Sequence, residues 1–220
     1  MFQHIDFYRI ILMMVPLVFA VAVHEAGHGY AAMKMGDDTA LRAGRLTLNP
    51  LKHLDPFGSV ILPLALRLMG SSFIFGYAKP VPVNFSKLSN IRLGTVVVSA
   101  AGVAANLALA FVSGAVYRVL SYFGPDSFSR GSFHGEALLL LEYSVIINCV
   151  LAVFNLIPIP PLDGSKILGV ALPFYLRKAF FAVERLGMVI LIVLMIAAPG
   201  FFFKVMVFFI KPLARFFLGT

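Results

Sequence analysis

The sequence predicts an all-α polytopic membrane protein of about four to six transmembrane helices, with a small membrane-associated β-hairpin or re-entrant loop after the first. Three observations carry this. Of the 220 residues, 60% are hydrophobic and only 13% charged, and the mean hydropathy is +0.93. A soluble domain carries about 25% charged residues, and this composition would leave it an aggregating surface. Four apolar stretches approach or exceed the roughly 20 residues that cross a hydrocarbon core. The basic residues cluster in particular segments between those stretches. A net charge of +8 would suggest nucleic acid in a soluble chain. Here it marks cytoplasmic loops beside anionic headgroups, so the expected partner is the lipid bilayer and not nucleic acid.

The first stretch, about Tyr8 to Met33, contains His24-Glu25-Ala26-Gly27-His28. No charged side chain lies between Ile10 and Val23, and none between His28 and Lys34. Residues four apart on a helix lie one above the other, so the two imidazoles face one point. That is the spacing one zinc ion needs from two histidines, with Glu25 beside them to take a proton from an activated water. Ionisable groups are expensive inside a membrane and mark functional sites there, which sets this motif apart from incidental histidines on a soluble helix.

The segment after the first span is not an ordinary loop. Thr39 to Leu48 alternates loosely around Gly44, which fits a short hairpin whose edge could pair with an extended peptide; it fits a plain amphipathic cytoplasmic loop equally well. Phe57 to Leu66 and Gly70 to Tyr77 are apolar but too short to span, and Pro63 and Gly70 interrupt them, which favours a re-entrant path. The second span is expected at Leu93 to Tyr117, 25 residues without a charge. The third runs from about Ala137 to Pro158 with one acid, Glu142, near its start. The fourth, Leu186 to Phe203, is slightly short and contains Pro199-Gly200 near its end. Cys149 is the single cysteine and lies in an apolar run, so it reads as a buried, inert thiol.

Eight basic residues fall between Lys34 and Arg92, against Arg9 alone in the N-terminal segment and Arg118 and Arg130 between Arg118 and Glu136. The positive-inside rule then places the N-terminus outside and residues 34–92 and 163–185 in the cytoplasm. Lys204, Lys211 and Arg215 would lie outside after a fourth crossing, unless the Phe-rich end returns or lies in the interface.

Two histidines leave a catalytic zinc one protein ligand short. Asp163 sits in Asn155-Leu156-Ile157-Pro158-Ile159-Pro160-Pro161-Leu162-Asp163-Gly164, at the cytoplasmic end of the third span and at the depth inferred for His24 and His28. Taken alone, Asp163-Gly164 reads first as a turn, with Asp163 capping the helix that follows. The proline-stiffened approach makes a carboxylate delivered to a metal the competing reading. Glu142 is a weaker rival because it lies toward the opposite face, and His53 reads as a solvated loop residue.

His24 to His28 on the first span, followed by Asn155-x-x-Pro-x-Pro-x-Leu-Asp-Gly at 155–164, resembles the site-2 protease family of intramembrane zinc metalloproteases. Three segments resemble its small bacterial and archaeal branch: Arg45 to Gly58, Gly76 to Asn84 and Ala100 to Asn106, the last with Val103 where the family often has proline. The resemblance covers about Val18 to Gly164 and leaves no gap for a PDZ or CBS domain, so residues 1–220 are expected to be a single intramembrane metalloprotease domain. It implies His24, His28 and Asp163 as ligands of one Zn2+ per chain, Glu25 as general base, and Asn155 as a group steadying the oxyanion or the substrate backbone. It also implies a transmembrane protein substrate and a prokaryotic inner membrane, with the active site toward the cytoplasm. A transporter would show repeats with broken helices in matched positions, and no such pair is visible. A silent relative would be expected to lack Glu25 or a ligand, and all are present.

The orientation is open to direct test. With Cys149 replaced by Ala, a cysteine at Lys52 should label only from the cytoplasmic side and one at Asp126 only from outside; labelling of both from one side would overturn the expected path.

Overall fold

A computed structural model describes residues 7–61, 65, 78–123, 132–173, 175–177, 180, 182 and 186–220. Long apolar runs with few charged residues form the long helices, because in lipid every backbone N–H and C=O must be paired within the segment. These are α1 (Phe7–Lys34), α3 (Ile91–Phe123) and α4 (Phe133–Asn155), with a short α2 (Thr39–Arg42) after the first. Then come α5 (Asp163–Ala171), α6 (Gly187–Ala197) and α7 (Pro199–Leu218). Within this set Ile11–Lys34, α3 and α4 are each long and apolar enough to cross a membrane. At 33 residues α3 is about 50 Å long, so its ends project beyond a core of about 30 Å. Ser132 starts α4 by accepting the Gly135 N–H at 3.1 Å.

The long helices form one bundle in which α1, α3 and α4 pack mutually, α7 lies along α3 and α4, and α5 sits against α3. Small residues allow the close approaches, as expected where lipid supplies no hydrophobic drive between helices. A Cβ on Gly27 would lie 2.9 Å from the Ala101 carbonyl oxygen of α3, and one on Gly114 only 2.6 Å from the Phe217 carbonyl oxygen of α7. Ala110, Val145 and the buried Cys149 meet Ile210, Leu213 and Phe217 there, so α7 shares the central layer.

Two expectations are corrected. Residues 39–48 form the helical turn α2 and an irregular stretch, not a hairpin, and there is no strand among the described residues. The reason is local: the side chain of Asp37 accepts the Thr39 amide at 3.1 Å and the Thr39 hydroxyl, which starts a helical turn. The role of a hairpin edge in holding a peptide falls with it. The fourth span at Leu186–Phe203 is also interrupted, because α6 and α7 meet at 99° across Ala198. Pro199 begins a new helix there, where its missing N–H costs nothing. Among the described residues the count is therefore three helices long and apolar enough to span, or up to four if α6 and α7 together make one. Lys204, Lys211 and Arg215 are exposed on α7 on the side away from Leu213 and Phe217. The proposed re-entrant path over 57–77 lies mostly outside the described residues; Pro56–Ile61 is a single wide helical turn.

The extended segment that follows, Ala78 to Asn84, is tied down at both ends. The Lys79 amide donates to the His53 carbonyl at 2.9 Å, and His53 is itself fully buried, its Nε2 2.8 Å from the Thr47 carbonyl, rather than solvated. At the other end the Asn84 amide donates to Asp37 Oδ2 at 2.6 Å. Burial alone would push the Asp37 carboxyl up, but the donors from Thr39 and Asn84 and the charge of Lys87 hold it below the ordinary carboxylate value. A depressed folded value means stability that is complete above the unfolded value of about 3.9 and is lost as pH falls through the folded one. Asp37→Ala should therefore cost about 1–3 kcal/mol by removing the charged acceptor that Thr39 and Asn84 share, and should flatten the loss of stability below about pH 4 seen in the wild type. Thermal unfolding of both proteins across pH 3–7 checks it.

Candidate metal centre

Two segments deliver three electron-pair donors to one point. His24 and His28 lie one turn apart on α1, as their spacing requires, with ring centroids 4.5 Å apart and perpendicular planes. Asp163 arrives at the first position of α5 after the proline-rich turn from α4. Its Oδ2 lies 3.3 Å from His24 Nε2 and 3.0 Å from His28 Nε2, and the two Nε2 atoms are 3.0 Å apart. Asp163 makes no capping hydrogen bond to α5. Its Oδ1 instead accepts from Lys166 Nζ at 3.0 Å, one turn on, while Oδ2 is buried without a hydrogen-bond partner. Gly164 permits this approach, because a Cβ there would come within 2.2 Å of the Leu156 carbonyl oxygen.

The donor set fits a metal ion on its own terms. His28 Nδ1 lies 2.7 Å from the Val98 carbonyl, which can only accept, so His28 carries its proton on Nδ1 and keeps a lone pair on Nε2. An orphaned carboxylate oxygen facing such lone pairs is repulsive without a cation between them. Tetrahedral zinc ligands at about 2.0–2.1 Å from the metal stand about 3.3 Å from one another, close to the three separations found here. His24, His28 and Asp163 form the group suited to a metal ion among the described residues. Helix α3 makes room for them with Gly102, where a Cβ would sit 2.5 Å from His28 Nε2 and 2.6 Å from His24 Cε1.

A cavity of about 540 Å³ opens beside this group, lined among others by Glu25, Val81, Ser99, Asn155 and Lys166. Glu25 is the next residue after His24, so its side chain projects sideways from the histidine face toward the extended segment, where Oε2 accepts the Val81 amide at 2.7 Å. Val81 lies between Pro80 and Pro82, which have no N–H, so the donor given to Glu25 is the one these three residues possess. Asn155, at the end of α4, gives one N–H to the Leu151 carbonyl at 3.0 Å and keeps the second. The Ser99 hydroxyl is buried without a hydrogen-bond partner.

Thus His24, Glu25, His28, Asn155 and Asp163 meet at one cavity, while Glu142 and His53 do not line it. The sequence reading missed Val81, Lys166, Ser99 and Gly102, and left Asn106 without a role. Ser99, Gly102 and Asn106 stand at i, i+3 and i+7 on one face of α3, a polar and small stripe in an apolar span that could have been found by its period.

The comparisons agree with this chemistry. Residues 119–198, which include Asp163, match the family model described as Peptidase family M50. Over 188 residues the chain is 36% identical to a Bacillus subtilis protein named "Putative zinc metalloprotease YwhC", covering 86% of this chain and 81% of that one. It is 31% identical over 188 residues to the Mycobacterium tuberculosis protein named "Putative zinc metalloprotease Rip2", covering 84% and 68%. The Mycolicibacterium smegmatis protein of the same name is 29% identical over 201 residues, covering 90% and 73%. No solved structure matches the chain.

Gly102 offers a test of the geometry. Gly→Ala in a helix is intrinsically stabilising by about 1 kcal/mol. At this position the methyl group would press on both imidazoles, so Gly102→Ala should keep the helical content and lose bound zinc, read by circular dichroism and metal analysis of the purified protein.

Proposed function

From the premise that the chain belongs to peptidase family M50, the site-2 protease family, and is a membrane-embedded zinc metalloprotease of it, we propose that it cleaves peptide bonds within or next to transmembrane segments of other membrane proteins. The observation that carries this is the depth of the site. His24 and His28 lie ten and six residues before the end of a span that closes at Lys34, so a substrate must be cut at membrane level. A transmembrane helix has its carbonyls committed to backbone hydrogen bonds, and a substrate must unwind locally before one is free for attack.

His24, His28 and Asp163, whose Nε2, Nε2 and Oδ2 atoms converge, would hold one zinc ion. Bound there, zinc would supply Lewis acidity toward the scissile carbonyl and would lower the pKa of a water to about 7. Lys166 occupies Asp163 Oδ1 and so leaves a single oxygen, Oδ2, to face the metal. Glu25 takes the proton of the attacking water and returns it to the leaving amine. The Val81 amide on Oε2 fixes the direction of that carboxylate while Oε1 remains for the water. Asn155 turns its uncommitted N–H to the developing oxyanion, a contribution of a few kcal/mol. The basic loops on either side of the site support an orientation toward the cytoplasm, and the bacterial relatives support a prokaryotic cell.

Purified wild type, Glu25→Gln and Asp163→Asn, each given a model transmembrane substrate, separate the roles. Glu25→Gln should keep its zinc and lose at least about 100-fold in cleavage rate, because the amide cannot accept the proton. Asp163→Asn should lose zinc and activity together. Normal turnover by Glu25→Gln would remove the base, and full zinc in Asp163→Asn would remove the third ligand.

A further inference from the structure

His24 Nδ1 is engaged as firmly as that of His28, but its partner is an amide side chain, Asn106 Oδ1, at 2.7 Å. An asparagine can present either end, so the surrounding network decides which nitrogen of His24 carries the proton. The chain of reasoning starts at α4. Asn148 Nδ2 lies 2.8 Å from the Ser144 backbone carbonyl, which cannot donate, so the amide nitrogen faces it and Asn148 Oδ1 points away. That oxygen meets Asn106 at 2.8 Å, and the Ala20 carbonyl meets the same Asn106 atom at 3.0 Å. Two acceptors demand that this atom be the NH2 group, whose two hydrogens they then use up. Asn106 Oδ1 must therefore face His24, and His24 must donate from Nδ1. Its lone pair is left on Nε2, aimed at Asp163.

Neither amide can flip without setting oxygen against oxygen, and both side chains are fully buried, where an unpaired polar group has no water to turn to. The Ala20 contact adds a strap, since Ala20 lies one helical turn before His24 on α1. Resting on the zinc reading above, we propose that Asn106, and Asn148 through it, are positioning residues that hold His24 in the Nδ1–H tautomer and the ring orientation that present Nε2 to the metal. Anchors on α1 (Ala20) and α4 (Ser144) thus act on a ligand through α3. Val98 does the same for His28 with a backbone carbonyl, which no substitution can remove; Asn106 is the side-chain counterpart.

Leucine is close to asparagine in size and apolar. If the pair served packing alone, folded Asn106→Leu would bind zinc with unchanged affinity, and the cost of leaving Asn148 Oδ1 and the His24 Nδ1–H unpaired would appear in thermal stability alone. Positioning predicts otherwise. In the full-length protein in detergent, zinc affinity measured by competition with a chromophoric chelator should fall 10–100-fold in Asn106→Leu and less in Asn148→Leu, with thermal stability followed in the same samples. Asn148→Leu should add nothing once Asn106 is Leu, because its effect passes through that residue. Wild-type affinity in folded Asn106→Leu, or fully additive losses in the double variant, would overturn the proposal. If Asn106→Leu does not fold, Asn148→Leu decides: weakened zinc binding supports positioning and unchanged binding overturns it. Absence of zinc binding by the wild type would instead strike the zinc reading itself, and this proposal with it.

Discussion

Three electron-pair donors packed 3.0–3.3 Å apart, in a place where water is scarce, constitute the constraint on which the rest of this molecule depends. Without a cation, two imidazole lone pairs and a buried carboxylate oxygen repel one another. With one, each finds its partner, and two pieces of chain distant in sequence, α1 and the start of α5, are tied at a point. The energetic logic of the fold follows. Helix α1 must come close to α3, which Gly27 and Gly102 allow, and the turn after α4 must fold tightly enough to bring α5 against α3 and Asp163 to the histidines, which Gly164 allows. Neither approach is favoured by hydrophobic burial, since lipid is as apolar as the helices themselves.

The long helices were legible in the sequence because the requirement that makes them is one-dimensional: about 20 residues without charge. The parts that were misread are those decided by contacts distant in sequence or by a single residue. The alternation of Leu41, Ala43, Leu46 and Leu48 resembles a strand, yet no partner strand faces it among the described residues, and Asp37 nearby starts a helical turn through Thr39. Leu186 to Phe203 has the composition of a span, but Pro199 opens a fresh helix at 99° to the preceding one. The helix that packs along α3 and α4 is then α7, with its three cations on the side away from Leu213 and Phe217.

The site divides along the same line. His24, Glu25 and His28 could be read from spacing alone, because a helix converts sequence separation into direction. Asp163 could not, since an Asp-Gly pair taken alone reads first as a turn and a helix cap until its neighbours are known. In the fold its two oxygens part company, Oδ1 with Lys166 and Oδ2 with the histidines, and no capping bond is made. Asn106 and Val81 carry no signal of their own type. One is an amide in an apolar span and the other a valine, and each acquires meaning only from the residue it faces 82 or 56 positions away.

Those two contacts also show how a small site can be kept ready for chemistry without large supporting domains. A ligand must have its lone pair pointed at the metal and a base must have its oxygen pointed at water, and both are matters of side-chain torsion that thermal motion would otherwise scatter. The segment Pro80-Val81-Pro82 can direct just one N–H anywhere, and it directs it to Glu25. In α3 the Asn106 amide has three contacts, to His24, Ala20 and Asn148, none of which can be exchanged without loss of another. Tautomer, rotamer and depth are therefore set by groups with no alternative partner. Rigidity of this kind costs little in size, because it depends on the scarcity of hydrogen-bonding choices in an apolar medium and not on the bulk of the protein around it.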